Sequence, residues 1–268
     1  MSDDLIMELT REVRFSLADG DADGKPLNSW AGWPASDRIA PYLVLRATVR
    51  GVVDRRIGYL CNIVTIDKAV RDEAIPQLRD VHREDLSVGC PYEAMLTRVV
   101  SPIGAAMPDN VELIRLELRA TPFLAYTWRK ELLNMIQITQ SFEFAAAHRL
   151  HCADFSDEEN RAVFGKCTNP NGHGHNYVVE VTVGGEPDAQ SGTVLEVGRL
   201  ERIVKERVID EFDHKHLNLD CAEFAELNPS VENITRVIWD RLNGAFGSAN
   251  LAKVRVYETP KTFAEYSG

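Results

Sequence analysis

The chain has 268 residues, of which 44% are hydrophobic and 26% charged, so it holds enough apolar material for one large domain or two small ones. Its net charge of -11 argues against nucleic acid or an anionic membrane as partner, because those surfaces need clustered Lys and Arg; an anionic small molecule is still compatible with a locally basic site. With no apolar run near the ~20 residues of a membrane span, no signal-peptide pattern and five sparse cysteines, we expect a cytoplasmic protein.

The first half of the chain has the pattern of a small α+β unit. Strands are predicted at residues 8–17, 42–49, 58–65 and 111–118. A helix is predicted from four apolar residues at helical spacing, Ile66, Val70, Ala74 and Leu78. Residues 19–24 are interpreted as a solvated turn, residues 79–89 as a charged connection, and Pro91 as the start of a second helix. The order β-β-β-α-α-β predicts an antiparallel sheet with helices on one face.

The second half repeats this order. Four pairs of segments correspond in sequence along the chain: 138–145 with 9–16, 182–185 with 48–51, 200–212 with 66–78, and 254–256 with 114–116. These co-linear matches predict a tandem duplication with its boundary near residues 129–135, so that residues 1–133 and 134–268 form two domains. Chance similarity between two α+β sequences is the alternative.

The predicted repeats differ at the residues that could carry chemistry. The alignment sets the polar residues of the second half against residues of other kinds: His148 against Asp19, His173 and His175 against Ile39 and Pro41, Asp213 and His214 against Arg79 and Asp80, and Glu258 against Leu118. Six of the seven histidines lie between His148 and His216. We therefore expect the first half to be a similar scaffold without a metal site.

Three histidines in the second half are predicted to share one face of the sheet. His148 ends a predicted strand, and His173 and His175 begin another, two residues apart and therefore on the same face. If the strands are neighbours, three imidazoles converge and leave a fourth metal position open, as in catalytic zinc sites. Gly172 and Gly174 remove side chains beside these ligands and could leave room for a substrate. A surface or hydrogen-bonded role is the alternative for any one histidine.

Other polar residues could supply proton transfer. Cys167 lies six residues before His173, and a thiol near a dication or imidazolium has a lowered pKa and can act as a base. A small buried thiol is the alternative. Asp213 can fix the tautomer of the adjacent His214, although the pair could also be an ordinary turn at the end of a helix. The remaining histidines of this region, His151 and His216, are expected to be exposed or supporting.

Two acidic residues lie near the same region. Glu232 is expected in the first turn of a helix that Ser230 caps, where the helix dipole favours a carboxylate. Glu258 continues the apolar face of a strand, so a carboxylate stands where a buried side chain is expected. Such a carboxylate suits recognition of a pair of N–H groups, as on a pterin ring.

These residues resemble the 6-pyruvoyltetrahydropterin synthase family, from about Ile138 to Tyr266. The likeness is close in the segment FGKCTNPNGHGHNY, and the pieces AHRL, DHKHL, EN and VYET also match. The resemblance implies a tandem pair of tunnelling (T-) folds, each an α+β unit with a four-stranded antiparallel sheet and two helices, which assembles into homo-oligomeric β-barrels. Residues 1–133 would be a degenerate copy that carries no zinc ligands.

The resemblance also implies roles for individual residues. It makes His148, His173 and His175 ligands of one Zn²⁺ per chain, Cys167 the general base, and Asp213 and His214 its proton-relay partners. It makes Glu258 the pterin anchor, with Glu232 as a second substrate-binding residue. The implied reaction converts 7,8-dihydroneopterin triphosphate into 6-pyruvoyltetrahydropterin with loss of triphosphate, and Mg²⁺ could accompany the substrate triphosphate.

Two positions depart from the family pattern, and two other functions compete. Val231 stands where the family usually has Thr, and the family usually has Asp or Asn near the position of Glu196. The nearest rival is 6-carboxytetrahydropterin synthase of the queuosine pathway, but the spacing from Cys167 to His173 resembles the pyruvoyl type. A non-catalytic, zinc-stabilised pterin-binding module is the second rival, and it would not need Cys167, Asp213 or His214.

Overall fold

The structure is a computed structural model that describes residues 4–17, 40–84 and 91–268. It divides into two compact units, and each is described by itself. Unit 1 comprises Met1–Ile138 together with Gly185–Val194, and unit 2 comprises Thr139–Gly184 and Leu195–Gly268. The predicted domain boundary at residue 133 lies a few residues before this division and leaves out the second segment of unit 1.

The sheet of unit 1 is antiparallel, and its strands neighbour one another in chain order. The strands are β1 (Ile6–Ser16), β2 (Tyr42–Val52), β3 (Val111–Thr121) and β4 (Leu124–Arg129). Alternate residues of β1 and β2, such as Val13, Phe15, Leu43 and Leu45, are buried, as expected for a sheet with one face on a core. The pairing of β2 with β3 has a β-bulge between Thr48 and Val49.

The helical part of unit 1 supplies the other side of that core. It consists of α1 (Ile63–Ala69), a π-helical segment (Val70–Ala74), α2 (Ile75–Glu84) and α3 (Tyr92–Ala105). The four apolar residues predicted on the inner face, Ile66, Val70, Ala74 and Leu78, are all buried, which confirms that helix. Pro91 precedes α3, also as predicted.

Three expectations for the first half are wrong. Residues 58–65 are not a strand, because Asp54 pairs with Tyr59 across a turn and Asn62 caps α1 by accepting the N–H of Val64. The connection predicted at residues 79–89 begins too early, since α2 continues to Glu84. The strand β4 was missed, so the order is β-β-α-α-β-β. Residues 19–24 and 85–90, which hold the predicted turn and the rest of that connection, lie outside the described residues.

The sheet of unit 2 has four long strands and one short one. These are β5 (Ile136–His148), β6 (His173–Gly185), β7 (Lys215–His216), β8 (Asn250–Thr259) and β9 (Thr262–Tyr266). The sheet order is β5-β6-β8-β9; β8 pairs antiparallel with β6 and β9, while β7 lies parallel to β5. The α+β class and the antiparallel sheets agree with the sequence-based expectation.

Unit 2 also contains several helical segments. They are α4 (Asp157–Phe164), α5 (Val197–Val204), a π-helical segment (Lys205–Ile209), α6 (Asp210–Phe212), α7 (Leu217–Asp220) and α8 (Val231–Leu242). Ser230 caps α8 by accepting the N–H of Asn233, and Ile234 and Ile238 face the core, as predicted. Within the described residues, no helix is both long enough and apolar enough to cross a membrane.

The two units share irregularities as well as strands. A β-bulge lies between Thr182 and Val183 in unit 2, as it does between Thr48 and Val49 in unit 1. With the two threonines taken as equivalent, the pairings Ala47–Leu116 and Val181–Val254 make Leu116 the counterpart of Val254. Four residues further on, Glu258 corresponds to Ala120, so the predicted match of Glu258 with Leu118 is wrong by two positions. The duplication itself remains a prediction.

Candidate functional site

Three histidines meet at the point where β5 ends and β6 begins. His148 is the last residue of β5, and His173 and His175 are the first and third residues of β6, the neighbouring strand. One nitrogen from each ring lies within 4.8 Å of the others. The Nε2 atoms of His148 and His173 are 3.1 Å apart. The convergence expected from the two-residue period of the strands is therefore confirmed.

The chemistry of this cluster fits a metal ion. Nδ1 of His148 donates to the carbonyl oxygen of Pro229 at 2.7 Å, which leaves Nε2 as a lone-pair donor toward the other two rings. The buried Nε2 of His175 has no hydrogen-bond partner among the described residues. Burial, followed by the neighbouring histidines, lowers the pKa of His148 and of His173, which favours the neutral imidazoles that metals need. Among the described residues no other group of three His, Cys, Asp or Glu side chains has this arrangement.

Gly172, in the loop before β6, has a left-handed backbone conformation that favours glycine. Its φ is +69°, and a Cβ built on it would lie 2.9 Å from the backbone oxygen of His148 and 2.7 Å from Nε2 of His216. At Gly174 a Cβ would meet the oxygen of Ala146 at an ordinary 3.6 Å. The space beside Gly172 is therefore filled by the chain itself and is not room for a substrate.

Glu258 reaches the histidine cluster from β8. Its Oε1 lies 3.5 Å from Nε2 of His148 and 3.7 Å from Nε2 of His175, and its side chain is 20% exposed. A carboxylate at this distance favours the binding of a cation by the three histidines, and it can still accept hydrogen bonds from a ligand. The carboxylate expected among apolar residues is thus beside the histidines.

Cys167 lies in a short 3₁₀ helix, Gly165–Thr168, that follows α4. Its backbone carbonyl accepts the N–H of Leu150 at 2.9 Å, which ties this turn to the residues just after β5. Burial and the charge of Glu258 raise the pKa of the Cys167 thiol. A general base would need a lowered thiol pKa, and the protein groups around the Cys167 sulfur do not lower it.

Asp213 and His214 form a pair beside β5. Oδ2 of Asp213 accepts from Nδ1 of His214 at 2.8 Å, while Oδ1 accepts the N–H of Ala145 at 2.8 Å. The Ala145 N–H and then His214 hold the pKa of Asp213 below its usual range, so the carboxylate is ionised. His214 has a positive φ of 57° and a side chain that is 84% exposed. Asp213 thus holds Nδ1 of His214, as the sequence suggested, and Nε2 of His214 has no hydrogen-bond partner among the described residues.

An open pocket of about 760 Å³ adjoins the cluster. His175 and Glu258 line it together with the β7 region, which contributes His214, Lys215 and His216. Cys167 is not among the lining residues. In the described part of the chain, no hydrogen bond joins Cys167 to Asp213 or His214. Glu232 is exposed in the first turn of α8 and is likewise not among the residues that line this pocket.

Two asparagines that the sequence analysis did not single out support the site, Asn218 in α7 and Asn228 in a loop. Asn218 clamps Arg149, accepting its N–H at 2.8 Å and donating to its carbonyl at 3.0 Å. Asn228 accepts the N–H of His151 at 2.9 Å. These bonds fix the turn after His148. The sequence signal is only that asparagines favour loops and bond to nearby backbone.

The comparisons with known proteins concern the part of the chain that holds this site. A family model described as 6-pyruvoyl tetrahydropterin synthase matches residues 137–268. A human 6-pyruvoyl tetrahydrobiopterin synthase is 43% identical over 132 residues, which is 49% of this chain and 91% of the human protein. The solved structure of Caenorhabditis elegans 6-pyruvoyl tetrahydropterin synthase is 38% identical, with a TM-score of 0.48 over 50% of this chain and 96% of that one. A 6-carboxy-5,6,7,8-tetrahydropterin synthase of Haemophilus influenzae is 28% identical, over 49% of this chain and 99% of its own length.

Proposed function

This chain belongs to the 6-pyruvoyl tetrahydropterin synthase family, and we propose that unit 2 is a zinc-dependent lyase that makes 6-pyruvoyltetrahydropterin. Its substrate would be 7,8-dihydroneopterin triphosphate, which loses triphosphate. The observation that carries the proposal is the convergence of His148, His173 and His175 beside Glu258, next to a pocket. The human relative, at 43% identity, favours the pyruvoyl product over the carboxy product of the relative at 28%.

The three histidines would hold the zinc, and the surrounding residues would bind and orient the pterin. Bound zinc would polarise the hydroxyl groups of the substrate side chain and so acidify the neighbouring C–H bonds. Glu258 would accept N–H groups of the pterin ring at the pocket wall, and Glu232 would be a second binding carboxylate. Mg²⁺ could accompany the triphosphate.

Proton transfer would fall to Cys167 and the Asp213–His214 pair. Cys167 as thiolate would take and return protons during the internal redox tautomerisation, which needs no redox cofactor. Asp213 holds Nδ1 of His214 at 2.8 Å, so Nε2 could exchange protons with the thiol or with water. Since the described chain does not join these groups directly, we propose that they meet in the assembled protein, a cytoplasmic homo-oligomer of tandem T-folds that closes into β-barrels.

A product analysis tests this function. The zinc-loaded full chain is incubated with dihydroneopterin triphosphate, and the products are identified by mass, with metal-stripped protein as the control. We expect the pyruvoyl compound and triphosphate, formed only by the loaded protein. A carboxy compound with a two-carbon aldehyde would assign the other synthase activity, and unchanged substrate would favour a non-catalytic pterin-binding module.

A further inference from the structure

The turn that contains Cys167 is tied to the residues that follow His148. The N–H of Leu150 donates to the backbone oxygen of Cys167 at 2.9 Å. Nε of Arg149 donates to the backbone oxygen of Thr168, the next residue of the turn, at 3.2 Å. Two successive carbonyl groups of the turn are therefore bound by the segment after β5, one through its backbone and one through the side chain of Arg149.

The guanidinium group of Arg149 is itself held in place. Its Nη2 atom lies 3.1 Å from Nδ1 of His151. Because a guanidinium group can only donate, Nδ1 of His151 is the acceptor. With Nε on Thr168 and Nη2 on His151, the planar group has partners on two different residues, and these fix the orientation of its plane. A lysine ammonium group has no such rigid fork of donors.

The backbone of Arg149 is held by the segment that follows His214. Asn218, in α7, accepts the N–H of Arg149 and donates to its carbonyl oxygen, as described above. In the chain, α7 directly follows β7, and β7 directly follows His214. Arg149 is also the neighbour of His148. One residue thus joins the segments that carry the proposed metal ligand, the proposed base Cys167 and the proposed proton relay.

We propose that Arg149 is a positioning residue that sets the place of the Cys167 thiol relative to the histidine cluster. Cys167 lies in a short 3₁₀ segment, Gly165–Thr168, and not on a strand of the sheet. A general base must lie within hydrogen-bond reach of the proton that it removes, and a misplacement of about 1 Å can cost about a hundredfold in rate. The inference rests on the proposed function, because the place of the thiol matters only if Cys167 acts on the substrate.

The kinetic test compares Arg149→Ala with the wild type, both as the zinc-loaded full chain with dihydroneopterin triphosphate as substrate. We expect kcat to fall by about a hundredfold because the base is misplaced. KM and zinc content should change little, since the three histidines and Glu258 are intact. Guanidinium ion at millimolar concentration should restore part of kcat to Arg149→Ala by occupying the vacated position, and it should not restore Cys167→Ala. Arg149→Lys should lie between Arg149→Ala and the wild type.

Hydrogen exchange tests the same contacts without any substrate. In Arg149→Ala, the amide of Leu150 and the amides of residues 165–172 should exchange about tenfold faster, because the turn loses the bond to Thr168. Peptide mass spectrometry of the zinc-loaded chain measures this exchange. Arg161→Ala is the matched control, since Arg161 is an exposed arginine of α4, and it should match the wild type in exchange and in kcat.

Three outcomes would overturn this role for Arg149. Unchanged kcat in Arg149→Ala would show that the side chain does not serve the reaction. Loss of zinc from Arg149→Ala would assign the side chain to support of His148. A fall in kcat without faster exchange at residues 165–172 would show that the turn is not what Arg149 holds. Exchange needs no pterin, so faster exchange in Arg149→Ala, together with no product from the wild type, would refute the proposed reaction and leave the contacts of Arg149 standing.

Discussion

Units 1 and 2 resemble each other in backbone detail and differ in side-chain chemistry. Thr10 and Thr48 form a hydroxyl pair at 2.8 Å across β1 and β2, and Thr139 and Thr182 form one at 2.9 Å in unit 2. Each unit also has a π-helical segment directly after a helix, Val70–Ala74 after α1 in unit 1 and Lys205–Ile209 after α5 in unit 2. Where unit 2 has polar groups at its site, unit 1 has unreactive residues. With Thr48 and Thr182 taken as equivalent, Pro41 corresponds to His175, Leu43 to Tyr177 and Ala120 to Glu258.

This difference shows that the sheet does not require the polar cluster in order to form. In unit 1 the corresponding described residues Pro41, Leu43 and Ala120 are apolar and Leu43 is buried, while the site of unit 2 contains His148 at 0% exposure and a carboxylate beside it. Buried polar groups cost free energy unless they are partnered. A bound dication would partner the three imidazoles, which links the stability of unit 2 to metal binding in a way that unit 1 does not share.

The largest effect is expected from removing a histidine of the cluster. His175→Ala leaves two imidazoles, so we expect zinc affinity to fall by at least about a hundredfold and turnover to be lost with it. His82→Ala is the matched control, since His82 lies on α2 of unit 1 and should leave zinc at one per chain. Metal analysis of the purified proteins checks both. Two zinc ions per wild-type chain would contradict the view of unit 1 as metal-free.

A thiol substitution separates catalysis from metal binding. Cys167→Ala should keep one zinc per chain and lower turnover by about 10²–10⁴-fold, the usual contribution of a positioned general base. Cys61→Ala in unit 1 removes a free thiol whose pKa is also raised by burial, and turnover should not change. Zinc content and product formation are measured side by side. If Cys167→Ala loses zinc, the thiol is part of the metal site and its assignment as base is wrong.

The histidine cluster could be predicted from the sequence because strand geometry is regular. Residues two apart on a strand share a face, so His173 and His175 had to project together once β6 was recognised. The cap at Ser230 and the inner face at Ile66 also follow from local rules. Each of these predictions depends only on residue types and spacing within a short segment of the chain.

Features that depend on pairing between distant segments could not be predicted. The match of Glu258 to Ala120 depends on the strand register. Sequence spacing alone had matched Glu258 to Leu118, which is two residues away. Residues 58–65 have the composition of a strand, yet Asn62 caps a helix there. The Pro229 carbonyl that orients His148 comes from a loop 81 residues away, and no local pattern indicates it.

A smaller effect is expected when His214 loses its orienting carboxylate. Asp213→Asn removes the charge that fixes Nδ1 of His214, so its imidazole can adopt the wrong tautomer. We expect turnover to fall by about ten- to a hundredfold, less than in a buried triad because the His214 side chain is 84% exposed. Zinc content should stay at one per chain. Equal turnover in Asp213→Asn and wild type would place this pair outside the proton relay.

The smallest effect is a difference in stability between two glutamates at the same helical position. Glu93 and Glu232 are each the second residue of their helix, α3 and α8, but Glu93 is 2% exposed and accepts the N–H of Val194 at 3.2 Å, whereas Glu232 is exposed. Burial raises the pKa of Glu93. Its protonated form therefore contributes stability that is fully present below the unfolded-state pKa and lost as pH rises through the folded-state pKa.

Glu93→Gln keeps an acceptor for Val194 and cannot ionise, so it should stabilise the chain at neutral pH by about 1 kcal/mol and make little difference in acid. Glu232→Gln should give no gain at either pH and should cost a few tenths of a kcal/mol (~0.3) at neutral pH, because the exposed carboxylate is hydrated in both states and only its weak attraction to the dipole of α8 is lost. Urea unfolding of both variants and the wild type at the two pH values gives the comparison. A gain that is equal in acid and at neutral pH would mean that the ionisation of Glu93 is not its cause.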